Sequence, residues 1–118
     1  MCIRDRPTYT EGAADLAGAG VDLVACVAVN DVWVMGAWSD AYGAQDIKML
    51  SDGNGEFTEL VGASVKKANL GFGVRSWRYA MVVNDNVVEH VFAEEGFGDN
   101  IDTDPYEVSS PENVLANI

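Results

Sequence analysis

The clearest hydrophobic pattern in the chain is a pair of apolar runs separated by three polar residues. Residues 77–83 and 87–92 are rich in aromatic and β-branched side chains, which favour strands. The connection, residues 84–86, reads Asn-Asp-Asn, and these residue types favour turns. Because a short polar connection between two strands most often joins them antiparallel, we predict a β-hairpin here.

A second apolar run, Val21–Val29, is almost continuously apolar and β-branched. This pattern predicts a strand that is buried on both faces of a parallel sheet. A helix is predicted before it, with Thr10 as its N-cap and Gly18 and Gly20 at its end. Another helix is predicted after it, capped at residues 30–31, which read Asn-Asp.

The remaining predicted elements are shorter, and the order of all the predicted elements indicates an α/β protein. The predicted order is helix, strand, helix, strand, helix, two strands, helix. A chain that opens with a helix leading into a fully buried strand is typical of a βαβ unit without its first strand. These shorter elements are a strand over Ile47–Leu50, a helical turn carrying Phe57, Leu60 and Val61, a loop over Gly62–Gly73, an acidic surface loop over Ala93–Tyr106, and a C-terminal helix opened by Ser109 or Ser110, with Pro111 in its first turn and Glu112 three residues after Ser109.

Composition and charge narrow the class of protein. A chain of 118 residues, 48% hydrophobic and 22% charged, is one globular domain or part of one. Seven basic residues against nineteen acidic ones, a net charge of −12, argue against binding to nucleic acid. No apolar run approaches the roughly 20 residues of a membrane span. Two cysteines are too few for a disulfide framework, which indicates a reducing compartment, cytoplasmic or organellar.

Metal and cofactor chemistry is not indicated by the sequence. Zinc sites need three or four Cys, His or carboxylate ligands, and Cys2, Cys26 and His90 are too few and too scattered. Residues 52–56 resemble part of a calcium loop, but the first and twelfth positions of an EF-hand loop would both be apolar. We therefore expect no metal and no cofactor. His90 lies within a strand pattern, where packing is a commoner role than general-base catalysis.

Two of the few basic residues, Arg75 and Arg78, lie just ahead of the predicted hairpin. One interpretation is that both guanidinium groups are solvated or paired with local carboxylates. The other is that one of them faces a site that handles an anion, because guanidinium is permanently charged and binds anions directionally.

Four blocks of the sequence resemble the type II, peroxiredoxin-five-like members of the redoxin family, in the same order as in that family. This resemblance implies a thioredoxin-like fold, α/β with a central mixed sheet flanked by helices. It also implies a thiol-dependent peroxidase that reduces hydrogen peroxide and organic hydroperoxides through a cysteine sulfenic acid, in antioxidant defence and redox homeostasis. The blocks are Val24–Trp38 with "VVCVSVNDPFVMxxW", Asp52–Thr58 with "DPNGEFT", Leu70–Val83 with "LGxRSxRYxMVV", and Glu107–Leu115 with "EVSSAENIL".

The start of the chain departs from the family pattern. In the family the peroxidatic cysteine ends a "PGAFTPTC" loop, six residues ahead of a proline that Pro7 resembles. Cys2 is one position late and lacks the loop around it. We therefore expect the first strand, the loop and the peroxidatic cysteine to be missing from this chain, which would then be inactive by itself. Residues 1–6 are predicted to be a non-native or disordered junction, and residues 7–118 an incomplete redoxin domain.

The resemblance also implies roles for individual residues. Arg78 matches the arginine that stabilises the cysteine thiolate and the peroxide, and Arg75 would be its helper or an interface residue. Cys26 has two interpretations: an inert structural thiol in a strand, or a second cysteine that forms a disulfide with the peroxidatic one.

Partners follow from the same resemblance. The substrate would be a hydroperoxide, and the reductant glutaredoxin, glutathione or thioredoxin. A homodimer would use the surface near Trp38 and Leu70–Ser76. The alternative function is a non-catalytic redoxin-like module that acts by binding.

Overall fold

The computed structural model describes residues 2–43 and 46–118, with side chains from Tyr9 onward. Helices and strands alternate up to residue 60, and four strands, with a short 3-10 helix at Ala68–Leu70 among them, then precede the last helix. This order agrees with the predicted α/β class. Within the described ranges, no helix is long and apolar enough to cross a membrane. The helices are α1 (Cys2–Gly18), α2 (Val32–Tyr42), α3 (Glu56–Leu60) and α4 (Pro111–Ala116), and the strands are β1 (Val24–Ala28), β2 (Ile47–Ser51), β3 (Ser64–Lys66), β4 (Val74–Ser76), β5 (Tyr79–Asn84) and β6 (Val87–Ala93).

The described strands form three two-stranded sheets. β1 and β2 are parallel, whereas β3 pairs with β4 and β5 with β6 in antiparallel fashion. The β5–β6 pair is the predicted hairpin, and its turn residues Asp85 and Asn86 have φ angles of 51° and 63°. Asp and Asn tolerate this left-handed region better than other non-glycine residues, which explains why the polar connection closes so tightly.

Helix α2 begins where its sequence predicts. The Asp31 carboxylate accepts a hydrogen bond from the backbone N–H of Val34 at 2.8 Å, so Asp31 is the N-cap. Gly43 ends the helix with a φ of 60°, a conformation that glycine adopts without steric cost.

Helix α1 is longer than predicted, since it starts at Cys2 rather than near Thr10. Its end at Gly18 agrees with the prediction. The charged opening residues carry no apolar periodicity, and this is why the pattern did not indicate a helix there. Met1 lies outside the described residues, and the prediction that residues 1–6 are a junction outside the redoxin domain stays a prediction.

The C-terminal helix α4 packs closely against α1. A Cβ atom at Gly12 would lie only 3.1 Å from the Cβ of Pro111, so the absence of a side chain at Gly12 allows this approach. The Tyr9 hydroxyl also donates a hydrogen bond to the carbonyl of Ser109. The beginning and the end of the described chain are thereby held together.

Strand β1 is less buried than the sequence predicts. Of its five residues only Ala28 is buried, while Cys26 is half-buried and Ala25 is exposed. The prediction of burial on both faces is therefore wrong. Among the described strands, β1 hydrogen-bonds only to β2, so one edge of this apolar strand has no neighbouring strand to cover it.

Strand β3 lies in the region predicted to be a loop, which is a second correction. Its middle residue, Val65, is 1% exposed and pairs with Arg75 of β4. A strand of three residues between Ala63 and Lys67 is too short to show a period in the sequence, and its pairing with β4 stabilises it.

The acidic loop between β6 and α4 has no helix or strand, as predicted, but it is not entirely a surface loop. Glu94 is 4% exposed, and its carboxylate accepts hydrogen bonds from the backbone N–H groups of Glu107 (3.0 Å), Val108 (3.3 Å) and Ser109 (2.8 Å) and from the Ser109 hydroxyl (2.5 Å). Burial alone would raise the pKa of Glu94, but these hydrogen bonds lower it below its ordinary value. Glu94 therefore ties the two ends of the loop together.

This contact also decides which of the two serines caps α4. Ser109 is occupied by Glu94, and Ser110 is the N-cap, since its hydroxyl oxygen accepts the N–H of Asn113 at 3.3 Å. The cap is therefore a serine and Pro111 occupies the first turn, both as predicted, and Glu112 lies two residues after the N-cap.

The uncovered edge of β1 predicts self-association. Apolar strand edges pair with other chains, and an inward or edge charge prevents this. We expect the purified chain to associate with rising concentration in light scattering and Ala25→Lys to reduce association. Leu60→Lys, which adds the same charge on α3, serves as the control. A wild-type chain that is a monodisperse monomer with a cooperative thermal transition would contradict this expectation.

The Glu94 contacts predict a pH-dependent stability. Because the pKa of Glu94 is lowered on folding, its stabilisation is complete above the unfolded pKa of about 4.3 and is lost as pH falls through the lower folded pKa. Glu94→Gln should lower the free energy of unfolding by about 2–4 kcal/mol at pH 7, since it leaves buried N–H groups without acceptors. It should also flatten the acid limb of the stability curve.

The control is Glu95→Gln at the neighbouring exposed position, which should change the free energy of unfolding by less than about 0.5 kcal/mol. Urea titrations of the three proteins between acidic and neutral pH provide the measurement. Equal losses in both variants would argue against a special role for Glu94.

Candidate active site

Arg78 lies at the entrance to β5, on a stretch of backbone that is fixed on both sides. The preceding residue, Trp77, is buried, and its indole Nε1 donates a hydrogen bond to the Glu94 carbonyl at 2.7 Å. The Arg78 carbonyl accepts the N–H of Glu94 at 3.1 Å. These contacts continue the β5–β6 pairing by one residue and hold the base of the Arg78 side chain.

The Arg78 guanidinium is enclosed by three consecutive residues of the acidic loop, and its side chain is only 8% exposed. Nη1 lies 2.8 Å from Oδ1 of Asp104, and Nη2 lies 3.3 Å from Oδ2. Nη1 also donates to the Pro105 carbonyl at 2.9 Å, and the ring of Tyr106 lies 5.4 Å from the guanidinium carbon. A carboxylate, a carbonyl and an aromatic face thus contact one cation.

The Asp104 carboxylate of this pair keeps its charge at neutral pH. Burial raises the pKa of Asp104, but the net pKa is lowered, with contributions from the charge and the hydrogen bond of Arg78. Arginine itself is effectively always protonated. The arrangement supplies a fixed cation that is mostly shielded from water, and such a cation can stabilise an anionic sulfur or oxygen near it.

Arg75 contacts a different part of the chain. Its Nη1 donates to the Val29 carbonyl and to Oδ1 of Asn30, both at 2.8 Å, and its Nε donates to the Phe72 carbonyl at 3.0 Å. These bonds fasten the end of β1 to the turn before β4. The described contacts of Arg75 are therefore structural, and they occupy Asn30, which is adjacent to the cap of α2.

Cys26 is half-buried in β1 and interacts electrostatically with Tyr79, the residue that follows Arg78. Burial raises the pKa of the Tyr79 hydroxyl, and the nearby Asp52 and Cys26 raise it further. Asp52 is held by α3, because its carboxylate accepts the backbone N–H and the hydroxyl of Thr58 at 2.8 and 2.6 Å. Burial raises the pKa of Asp52, and the hydrogen bonds of residues 56–58 produce a net lowering. Cys26 thus shares its surroundings with Tyr79 and Asp52.

His90 packs as the sequence indicates. Its ring is stacked on that of Phe92, with centroids 5.8 Å apart and planes 8° from parallel. In residues 2–43 and 46–118, no group of three or more His, Cys, Asp or Glu side chains is placed to hold a metal ion.

The sequence analysis did not identify the residues that hold Arg78 in place. Asp104, Tyr106 and Glu94 lie in a stretch with many acidic residues, and nothing in the pattern separates these three from their exposed neighbours. The only local signal is Pro105, because proline restricts its own backbone and that of the residue before it.

Comparison with known proteins bears on this site. The sequence model of the Redoxin family matches residues 1–114. A peroxiredoxin of Rhizobium etli is 57% identical over 96 residues, which cover 81% of this chain and 54% of the relative. A peroxiredoxin of Synechocystis is 48% identical over 110 residues, covering 93% of this chain and 58% of the relative.

Solved structures give the same result. The crystal structure of reduced Prx3 in complex with H₂O₂ from Vibrio vulnificus matches with a TM-score of 0.83 and 41% identity, covering 93% of this chain and 65% of that one. The predicted thioredoxin-like fold is confirmed. The chain spans about half the length of the curated relatives it matches, 54% and 58% for the two above. Because the Redoxin model matches nearly the whole of this chain and the similar proteins are peroxiredoxins, this chain belongs to the redoxin family, among the peroxiredoxins.

Proposed function

We propose that this chain is the arginine-bearing part of a thiol peroxidase. The observation that carries the proposal is the Arg78 guanidinium, which is mostly buried and held in place by residues 104–106. Peroxiredoxins are named for this reaction, and the similar Vibrio vulnificus protein was solved with hydrogen peroxide. None of the comparisons favours the alternative of a non-catalytic binding module.

The proposed reaction begins with a cysteine thiolate. Its sulfur attacks one oxygen of the peroxide, the O–O bond breaks, and the leaving oxygen takes a proton to become water or an alcohol. The sulfur is oxidised to a sulfenic acid and the peroxide is reduced. A thiol then displaces hydroxide from the sulfenic acid to give a disulfide and water, and a second thiol reduces that disulfide.

Arg78 would act on the first step. A free cysteine has a pKa of about 8.5 and is only a few per cent thiolate at pH 7. A guanidinium beside the sulfur lowers the thiol pKa, and each unit of lowering corresponds to about 1.4 kcal/mol. The same charge stabilises the negative charge that develops on the leaving oxygen.

The cysteine for this step is proposed to come from outside the 118 residues. Neither Cys2 nor Cys26 matches the peroxidatic position of the family. Cys26 is proposed as a second cysteine that could close a disulfide with the peroxidatic one, and its partial exposure in β1 supports access. Without that disulfide, Cys26 would be a structural thiol of β1 only.

The proposed partners are a hydroperoxide and a thiol reductant. Glutaredoxin, glutathione and thioredoxin all supply the thiols that the second half of the reaction needs, and all act in reducing compartments, which favours the cytoplasm or an organelle with a reducing interior. A homodimer is proposed through the surface near Trp38 and Leu70–Ser76, where Leu70 is 55% exposed.

The proposed role of Arg78 can be tested in the full-length protein. Arg78→Ala should raise the pKa of the peroxidatic thiol and lower the second-order rate constant for hydrogen peroxide about 100-fold or more, since one preorganised charge contact is lost. Arg78→Lys should retain part of the rate. Lys48→Ala, which removes an exposed cation from β2, is the control. Stopped-flow peroxide consumption measures both, and a wild-type rate in Arg78→Ala would refute the proposed role.

A separate prediction concerns the 118-residue chain by itself. It should consume no hydrogen peroxide with glutaredoxin and glutathione beyond the protein-free blank, because Cys26 does not match the peroxidatic position that the family resemblance implies. Cys26→Ser provides the comparison. Thiol-dependent peroxide reduction by the wild-type chain that disappears in Cys26→Ser would show that Cys26 is itself peroxidatic.

A further inference from the structure

We propose that Asp104 is the positioning residue of the site, setting the orientation of the Arg78 guanidinium toward the reacting sulfur; this inference rests on the proposed function. Arg78 can stabilise a thiolate only when its planar group points toward it. An arginine side chain has four rotatable bonds, so charge alone does not determine that orientation.

The contact between the two side chains has the geometry that fixes a plane. Nη1 lies 2.8 Å from Oδ1 of Asp104 and Nη2 lies 3.3 Å from Oδ2, so both carboxylate oxygens face one edge of the guanidinium. Two parallel contacts prevent rotation of the guanidinium about its axis, whereas a single contact would allow it.

The residues after Asp104 complete the restraint. The ring of Pro105 fixes its own φ angle and restricts Asp104, the residue before it, to extended conformations. The Pro105 carbonyl accepts a hydrogen bond from Nη1 of Arg78 at 2.9 Å. The Tyr106 ring lies 5.4 Å from the guanidinium carbon and covers a face of it. The guanidinium is therefore restrained at one edge and on one face by three consecutive residues.

The segment that carries Asp104 is itself anchored. Glu94 accepts hydrogen bonds from the backbone of residues 107–109, and its own N–H donates to the Arg78 carbonyl. Glu94 thus contacts the Arg78 backbone through its own N–H and the end of the loop through its carboxylate, and the loop contacts the Arg78 side chain through Asp104. The position of Asp104 is thereby tied to the backbone position of the residue that it orients.

Asp104 could act on Arg78 in two ways, by orienting the guanidinium or only by pairing with its charge. The Asp104 side chain is 52% exposed, so water screens its charge, while Arg78 is 8% exposed. If Asp104 acted only as a charge, removing it would strengthen the field of Arg78, lower the thiol pKa and speed the reaction. If Asp104 orients Arg78, removing its charge slows the reaction. The two interpretations predict opposite signs.

The test uses the full-length protein, with Asp104→Asn as the main variant. We expect the rate constant for hydrogen peroxide to fall about tenfold and the pKa of the peroxidatic thiol to rise, because a guanidinium that is no longer oriented stabilises the thiolate less well. Asp104→Glu, which restores the carboxylate, should recover part of the rate. Asp102→Asn, an exposed neighbour in the same loop, should behave as wild type in rate and in thermal unfolding.

A second measurement uses the 118-residue chain and does not depend on peroxidase activity. In proton–nitrogen NMR spectra, restrained guanidinium rotation should give sharp, separate Nη resonances for Arg78 in the wild type and in Asp102→Asn. Asp104→Asn should merge or broaden them.

The outcomes separate the two proposals. A rate in Asp104→Asn equal to or above wild type, or equally restrained Arg78 resonances, would overturn the positioning role and leave the peroxidase proposal standing. A wild-type rate in Arg78→Ala would overturn the proposed function itself. A loss of rate in Asp104→Asn that Asp104→Glu does not recover, accompanied by an equal loss of thermal stability, would assign Asp104 to folding only.

Discussion

The buried carboxylate of Glu94 is the interaction on which the candidate site depends. A carboxylate that is 4% exposed is tolerated because backbone N–H groups and a hydroxyl surround it. Its backbone belongs to the end of the β5–β6 hairpin, and its side chain reaches the start of α4. One residue therefore sets where the intervening loop begins and ends, and that loop supplies the contacts of Arg78.

The same device recurs elsewhere in the fold. Asp52 gathers the first N–H groups of α3, and Arg75 binds the carbonyls at the end of β1 and before β4. Many large apolar side chains are exposed, Trp33 at 81% and Leu60 at 85% among them, so apolar burial alone gives limited definition to the loops. Charged and polar side chains that bind backbone groups give these loops their definite positions.

The distribution of charge gives the two arginines their distinct roles. In a chain with a net charge of −12, a guanidinium has many carboxylates available to it, and solvation or local pairing is the ordinary result. Arg75 is used to fasten backbone segments. Arg78 is also paired, with Asp104, yet it is enclosed in a way that orients a permanent cation. The two interpretations of the arginines at the sequence level are therefore not exclusive, because a local carboxylate can hold the same guanidinium that a site requires.

The sequence by itself determined the α/β class, the hairpin, the cap of α2 by Asp31 and the family, because these depend on local periodicity, turn chemistry and contiguous motifs. Arg78 was also named from its motif. The tertiary structure alone decided that β3 is a strand, that Ser110 rather than Ser109 caps α4, and that Glu94 is buried. It also decided that Asp104 is the carboxylate beside Arg78. The pairing of β3 with β4, the Glu94 contacts and the contact of Arg78 with Asp104 join residues that lie 8 to 26 positions apart. No local pattern distinguishes one acidic loop residue from the next until the chain has folded.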